Sequence, residues 1–243
     1  MNKQPHLGVD SSQVAKRVIV CGDPARVTRA GLLLDGAEVI AENREYRLIN
    51  GYYQGQKITL CSTGIGAPSA VIALEELNNC GAKYVIRVGS AGALQPYIAL
   101  GDLLVVEAAV RDEGTSKAYI ASEYPAAADI DIVFGLRQAL VAAKQPFHLG
   151  VIRTNDSFYT DEEPQICQHW HSKGVLGADN ETAALLTVGR LRGIKVGAVL
   201  NTVVQFEQDA QQGIAAYANA EQRMMQAEQH ALTAALMTLC HQA

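Results

Sequence analysis

Residues 60–77, LCSTGIGAPSAVIALEEL, constrain this chain more than any other stretch. An apolar strand over 57–62 enters a glycine-rich bend, Gly64-Ile65-Gly66-Ala67-Pro68-Ser69, and leaves it as an amphipathic helix carrying Val71, Ile72, Leu74 and Leu77. Glycine tolerates positive φ and lets a ligand approach the backbone, while the amides of a helix N-terminus attract anions. The bend is therefore expected to face an anionic ligand.

Gly64, Gly66 and Ser69 come close to the G-x-G-x-x-G/A dinucleotide spacing. That fingerprint requires an acidic residue near the end of the next strand, to hold a ribose. Here the next strand, 83–88, carries Arg87 and then Gly89-Ser90-Ala91-Gly92. A cation there is compatible with the extra phosphate of NADP, which demotes the dinucleotide reading without removing it. Arg87 suggests instead a free anion held beside the bend.

At 243 residues, with 49% of them apolar, the chain can bury a full core, and one α/β domain over 1–243 is expected. No uncharged apolar run reaches the roughly 18 residues of a membrane span. Residues 1–6, MNKQPH, lack the apolar core of a signal peptide, so the expected location is the cytoplasm. A net charge of −5 and the lack of a basic run argue against a nucleic-acid polymer as partner. Cys21, Cys61, Cys80, Cys167 and Cys240 are odd in number, with no C-x-x-C pair, and read as buried reduced thiols. His169-Trp170-His171 reads as a surface segment rather than a metal site, because histidines two apart share a face only in a strand and no third ligand is apparent.

In chain order, a strand over 18–21 ends in Gly22-Asp23-Pro24-Ala25-Arg26, a second glycine-led bend with Asp23 and Pro24 in cap and first-turn positions. Arg26 and Arg87 both follow strands, and cations at the ends of separate strands can converge on one ligand at a sheet edge. Strands over 38–41 and 45–50 flank Asn43-Arg44, with a turn at 52–54. Further strands are expected at 84–87, 102–106, 149–153 and 195–203. A loop-rich stretch covers 111–128, and helices cover 133–143 and 182–191. A long helix over 214–241 carries Met225, Leu232, Leu236 and Leu239 near one face. Such alternation implies a largely buried sheet covered on both sides.

Taken together, Gly22-Asp23-Pro24 with Arg26, Asn43-Arg44-Glu45-Tyr46, the 62–69 bend with Glu75-Glu76-Leu77, Arg87-Val88-Gly89-Ser90 and Asn180-Glu181-Thr182 resemble the nucleoside phosphorylase superfamily of the hexameric type. Gly92-Ala93-Leu94-Gln95-Pro96 and the 123–129 segment are most similar to its uridine phosphorylase branch. The resemblance implies a single-domain three-layer α/β/α sandwich around a mixed, partly barrel-like sheet. It also implies attack of inorganic phosphate on the sugar's anomeric carbon, releasing ribose 1-phosphate and a free base without a further cofactor.

Carried over by position, Gly22, Arg26, Arg87 and Ser90 bind phosphate, and Arg44 reaches the same anion from a neighbouring subunit. His6, also from the neighbour, touches the 5′-hydroxyl. Glu181 holds the ribose 2′- and 3′-hydroxyls, Asn180 lies under the sugar, and Phe158 packs against the base. Such sharing implies dimer units, expected to assemble as a hexamer. Some uridine phosphorylases hold a monovalent cation, K+, at the dimer interface, and Glu45, Ile65 and Ser69 match those positions.

The residue types suit this chemistry. Arginines hold an oxyanion as planar forks with no change of protonation, and each charge-assisted hydrogen bond contributes about 1.5–3 kcal/mol. A carboxylate such as Glu181 accepts from two adjacent hydroxyls and favours positive charge developing in the sugar ring.

The chain also departs from its relatives' patterns. Glu162 and Pro164 stand where the uridine branch carries a glutamine and an arginine that clamp the uracil edge, and proline has no N–H to donate. The purine branch has an aspartate as leaving-group acid, and Gln205 stands nearest that place. Help for the leaving base is left open among Gln205, a water and Glu162. Asn180 replaces a methionine, putting a polar group under the sugar. Uridine is the first expected substrate, with a purine nucleoside such as inosine as alternative. A water-using nucleosidase and a catalytically weak nucleoside-binding homologue are the competing readings.

Overall fold

The computed structural model describes residues 3–157, 159–207 and 222–242. The opening strand β1 (Arg17–Cys21) is followed by helix α1 (Pro24–Gly31), then by three antiparallel strands, β2 (Asp35–Asn43), β3 (Tyr46–Tyr53) and β4 (Gln56–Ser62). Helix α2 (Ala67–Asn79) leads to β5 (Tyr84–Ala93) and β6 (Leu103–Asp112). Next come the short α3 (Thr115–Tyr119) and β7 (Ala126–Ala127), then α4 (Ile130–Ala142), β8 (Phe147–Asn155) and α5 (Glu163–His171). The chain continues through β9 (Gly177–Asp179), α6 (Thr182–Leu191) and β10 (Lys195–Val204) to the last described helix, α7 (Gln222–Cys240).

β1 sits in the middle of the sheet, parallel to β4 on one side and β5 on the other. Val18, Ile19, Val20 and Cys21 are all buried, as a strand covered on both faces requires. Beyond β4 the sheet runs out through β3 to β2. Beyond β5 it closes: β5 pairs with both β10 and β9, β9 with β8, β8 with β6, and β6 with β10. Five strands thus form a ring, and the sheet is mixed and partly barrel-like, as the resemblance implied.

Two glycines show how the helices cover both faces. Successive strand residues point to opposite sides. Val196 lies against Gly189 of α6, where an added Cβ would come within 2.2 Å of it. The open face of the next residue, Gly197, lies against Ile132 of α4, where a Cβ would meet Ile132 Cγ2 at 2.4 Å. α6 and α4 therefore cover opposite faces of β10, and α2 packs on α6 as α7 packs on α4. This is a three-layer arrangement.

The structure extends several expected elements and adds others. The 111–128 stretch holds a helical turn and a two-residue strand, stitched by Arg111, whose guanidinium donates to Ser116 Oγ and to the carbonyls of Ile120, Ala121 and Tyr124. β3 continues to Tyr53, so the turn falls at Gln54 and Gly55, both with positive φ, rather than at 52–54. α7 buries Met224, Ala227, Ala231, Leu232, Ala235, Leu236 and Leu239, which places Met224 and not Met225 on the inner face. The expected start of that helix at 214 lies outside the described residues. The 169–171 segment is the end of α5 and only part-exposed. Cys21, Cys61 and Cys80 are buried and Cys167 and Cys240 half-buried, all as free thiols.

Candidate active site

Two glycine bends meet at one edge of the sheet. The Thr63 amide donates to the Cys21 carbonyl at 2.8 Å, and an added Cβ on Gly22 would sit 3.2 Å from the Gly64 carbonyl oxygen. Asp23 caps α1, accepting from the amides of Ala25 (2.8 Å) and Arg26 (3.2 Å), which contributes about 1 kcal/mol. The cap fixes the first turn and turns Arg26 inward, where it is buried. Its Nη1 donates to the Val88 carbonyl (3.0 Å) and its Nη2 to Ser90 Oγ (2.8 Å). Nε is held by Glu228 of α7 at 2.7 Å, and the same carboxylate takes Arg29 through both oxygens.

Arg87, on β5 itself, grips the adjoining structure. Its side chain lies over Gly89, where a Cβ would come within 2.7 Å of Arg87 Cζ, so only glycine leaves room for it there. Nε donates to Asp179 Oδ2 (3.1 Å) and Thr182 Oγ1 (3.2 Å), and Nη2 to Glu181. Arg26 and Arg87 both lie near Cys21, and their positive fields oppose the burial that pushes its thiol up to about 12.

Glu181 precedes α6, yet it does not cap it. That work falls to Asp179, which accepts from the Thr182 amide (3.1 Å) and hydroxyl and from Thr154 Oγ1 (2.7 Å). Glu181 is left free to turn inward, with one oxygen on Arg87 and the other accepting the Gly66 amide at 2.6 Å. The anion at the Gly64–Gly66 bend is thus the protein's own carboxylate. Burial raises the Glu181 pKa; Arg87 lowers it and Asp179 raises it again. One guanidinium between two buried carboxylates leaves an uncompensated negative charge, which favours the proton. Each Glu181 oxygen keeps a further lone pair for a hydroxyl donor.

Arg26 with Ser90 and Arg87 with Glu181 are thus two pairs on one short segment of β5, with Gly22 half-exposed at the neighbouring bend. His6 and Arg44 form a separate group. Asn43 Nδ2 donates to the His6 carbonyl (2.8 Å), the His6 ring lies edge-on to Tyr46, and Arg44 is exposed with φ +54°. Glu76 holds His6 through Nδ1 at 2.6 Å and also accepts its amide. Beside them Ser69 Oγ lies 2.6 Å from Glu45 Oε1, while Ile65 is 87% exposed. Asn180 donates through Nδ2 to the Asn155 carbonyl. Gln205 is exposed just past β10. Glu162 is exposed, and it is the next residue, Glu163, that ion-pairs with a buried arginine, Arg153. Phe158 lies outside the described residues.

The holding roles of Asp179, Glu228 and Glu76 escaped the sequence reading. Asp179 had a signal, three residues before Thr182 at a helix start. Glu228 had one too, as a carboxylate interrupting the apolar face of α7.

Residues 16–239 match the phosphorylase superfamily. The fold superposes on the crystal structure of uridine phosphorylase from Vibrio fischeri ES114 with a TM-score of 0.94 at 55% identity, covering 100% of this chain and 99% of that one. The chain is 36% identical to uridine phosphorylase of Escherichia coli K12, with 93% of each covered. It is 40% identical to guanosine phosphorylase of Halorubrum lacusprofundi, with 82% of each covered. With its paired glycine bends, its buried arginines and this degree of likeness, the chain belongs to the phosphorylase superfamily.

Proposed function

We propose that this protein is a nucleoside phosphorylase, a pentosyltransferase that cleaves the N-glycosidic bond with inorganic phosphate, and that uridine is its first substrate. The observation that carries the reading is the meeting of Arg26, Arg87 and Ser90 on one short segment of β5 with the Glu181 carboxylate against Arg87. Phosphate held by the arginines, Ser90 and the Gly22 bend stands beside a ribose whose 2′- and 3′-hydroxyls donate to Glu181. As the base departs, positive charge builds on the sugar, and the phosphate is both the stabilising anion and the nucleophile. The C1′–N bond breaks, its electron pair leaves with the base, and a phosphate oxygen forms the new bond to C1′. Gln205, a water or Glu162 assists the departing base.

A hydrolase of this fold would have no use for so many guanidinium groups. The test is base release with and without phosphate. The 40% identity to a guanosine phosphorylase supports a second reading, in which purine nucleosides are substrates too.

The phosphate site is completed by Arg44, and the sugar site by His6, from a second copy. His6 and Arg44 lie together through Asn43 on an outward face, which supports dimer units; these assemble as a hexamer, and the protein acts in the cytoplasm. Glu45 suits a monovalent cation at that interface. The Ser69 hydroxyl holds its pKa below the usual value, so it stays ionised, and carboxylate, hydroxyl and carbonyl oxygens are the donors such a cation takes.

A further inference from the structure

Arg153 is 4% exposed and has no part in the machinery above. It lies on β8, five residues before the undescribed Phe158, and its guanidinium is pinned between two carboxylates. Nε donates to Asp112 Oδ2 at 2.8 Å and Nη1 to Glu163 Oε1 at 3.0 Å. Burying so hydrated a group against partners that are themselves part-exposed is a poor route to stability, which invites a functional reason.

The strand registers place it. Arg153 pairs with Ala178 of β9, and Ala178 pairs with Gly92 of β5, so the three form one row across the sheet, with side chains on one face. By alternation Ser90, which accepts from Arg26, shares that face. Ser90, Gly92 and Ala178 are all half-exposed, whereas Ala91, Ala93, Gly177 and Asp179 between them are buried. An added Cβ on Gly92 would find only Val204 Cβ, at 3.8 Å. The face thus carries an open floor of small residues, starting beside the phosphate-gripping segment and ending two strand spacings away, about 10 Å, on a guanidinium.

We propose that Arg153, positioned by Asp112 and paired with Glu163, reads the nucleobase in place of the missing glutamine and arginine. This rests on the phosphorylase reading and gives that site its base preference. A guanidinium N–H beside a carboxylate oxygen offers a donor next to an acceptor, which matches a ring carbonyl next to a ring N–H. Uracil, hypoxanthine and guanine present that edge. Cytosine and adenine present an amino donor beside an unprotonated ring nitrogen and would leave the guanidinium facing another donor.

The test compares phosphate-dependent kcat/KM for uridine, inosine and guanosine with that for cytidine and adenosine, in wild type and in Arg153→Met. The expected result is a wild-type preference for the oxo bases that falls roughly ten- to hundredfold in the variant, with the KM for phosphate unchanged. A preference unchanged in the variant overturns the proposal, as does wild-type cleavage of cytidine and adenosine at equal rates. Calorimetry of wild type and Glu163→Gln with free uracil, hypoxanthine, cytosine and adenine decides the matter if Arg153→Met does not fold. Binding of the oxo bases alone, weakened in Glu163→Gln, supports the assignment, and equal binding of all four refutes it. These titrations need no turnover, so an absence of phosphate-dependent cleavage would count against the phosphorylase reading alone.

Discussion

Glu181 and Arg87 stand 94 positions apart in sequence and meet, carboxylate to guanidinium, in the buried heart of the site. The contact orients both, and on the proposed reading it sets Arg87 beside the phosphate and offers the carboxylate to the sugar. On that reading Glu181→Ala removes the ribose acceptor, and it leaves Arg87 tied to Asp179 and Thr182. Steady-state kinetics should show kcat/KM for the nucleoside lower by at least about 10²–10³-fold. Near-normal turnover would take Glu181 out of the site.

The same carboxylate should set the acid limb of the pH profile. Its pKa is raised above 4.5 by burial, and only the ionised form accepts from two hydroxyls. Activity should therefore rise with pH through a value above the ordinary carboxylate range, and Glu181→Gln should lose that limb along with most of its rate. The stability sign runs the other way. With the folded pKa above the unfolded one, Glu181 favours folding below about 4.5 and loses that contribution as pH rises through the folded value. Denaturant titrations across this range should show wild type losing stability relative to Glu181→Gln as pH increases.

Glu228 holds Arg26 through its Nε and so leaves Nη1 and Nη2 turned to Val88 and Ser90. Glu228→Gln keeps the shape and loses the charge that aligns both Arg26 and Arg29. The KM for phosphate should rise about tenfold, the scale of one charge-assisted hydrogen bond, with the KM for nucleoside little changed. Equal effects on both substrates would point to a general loosening of α7.

Gly89 is a second indirect lever on Arg87. A methyl there would press within 2.7 Å of Arg87 Cζ and 2.8 Å of Leu200 Cδ2. Gly89→Ala should cost about 1–3 kcal/mol in thermal or denaturant unfolding and displace the guanidinium, lowering kcat as well. A variant as stable and active as wild type would show that Arg87 does not need this path.

Arg44 supplies the test of a shared site. Arg44→Ala and Glu181→Ala should each be inactive, but a dimer holding one of each has one site with both defects and one with none. Random mixing should restore about a quarter of wild-type activity. Mixed assemblies with no recovery, or a fully active monomer in light scattering, would confine the site to one chain.

Much of this arrangement was legible in the sequence because it is local. The Asp23-Pro24 start of α1, the helix at 182–191 and the strand-bend-helix around Gly64 each carry their own signals within a few residues. The barrel closure was legible only through the family resemblance, since pairing β10 with both β5 and β6 is a long-range choice that periodicity does not encode. β9 escaped because three residues show no alternation. Family position located Glu181 and the arginines. It did not reveal that Asp179 takes over the helix cap, that Glu228 aligns Arg26, or that Arg153 is buried between Asp112 and Glu163, because each depends on contacts between distant elements.

The most direct measurement is release of free base from uridine by the wild-type protein, followed with and without inorganic phosphate. The account predicts that release depends on phosphate and yields ribose 1-phosphate in equal amount. Release at the same rate without phosphate would make the protein a hydrolase. Tight nucleoside binding with no release in either condition would contradict the enzymatic assignment itself.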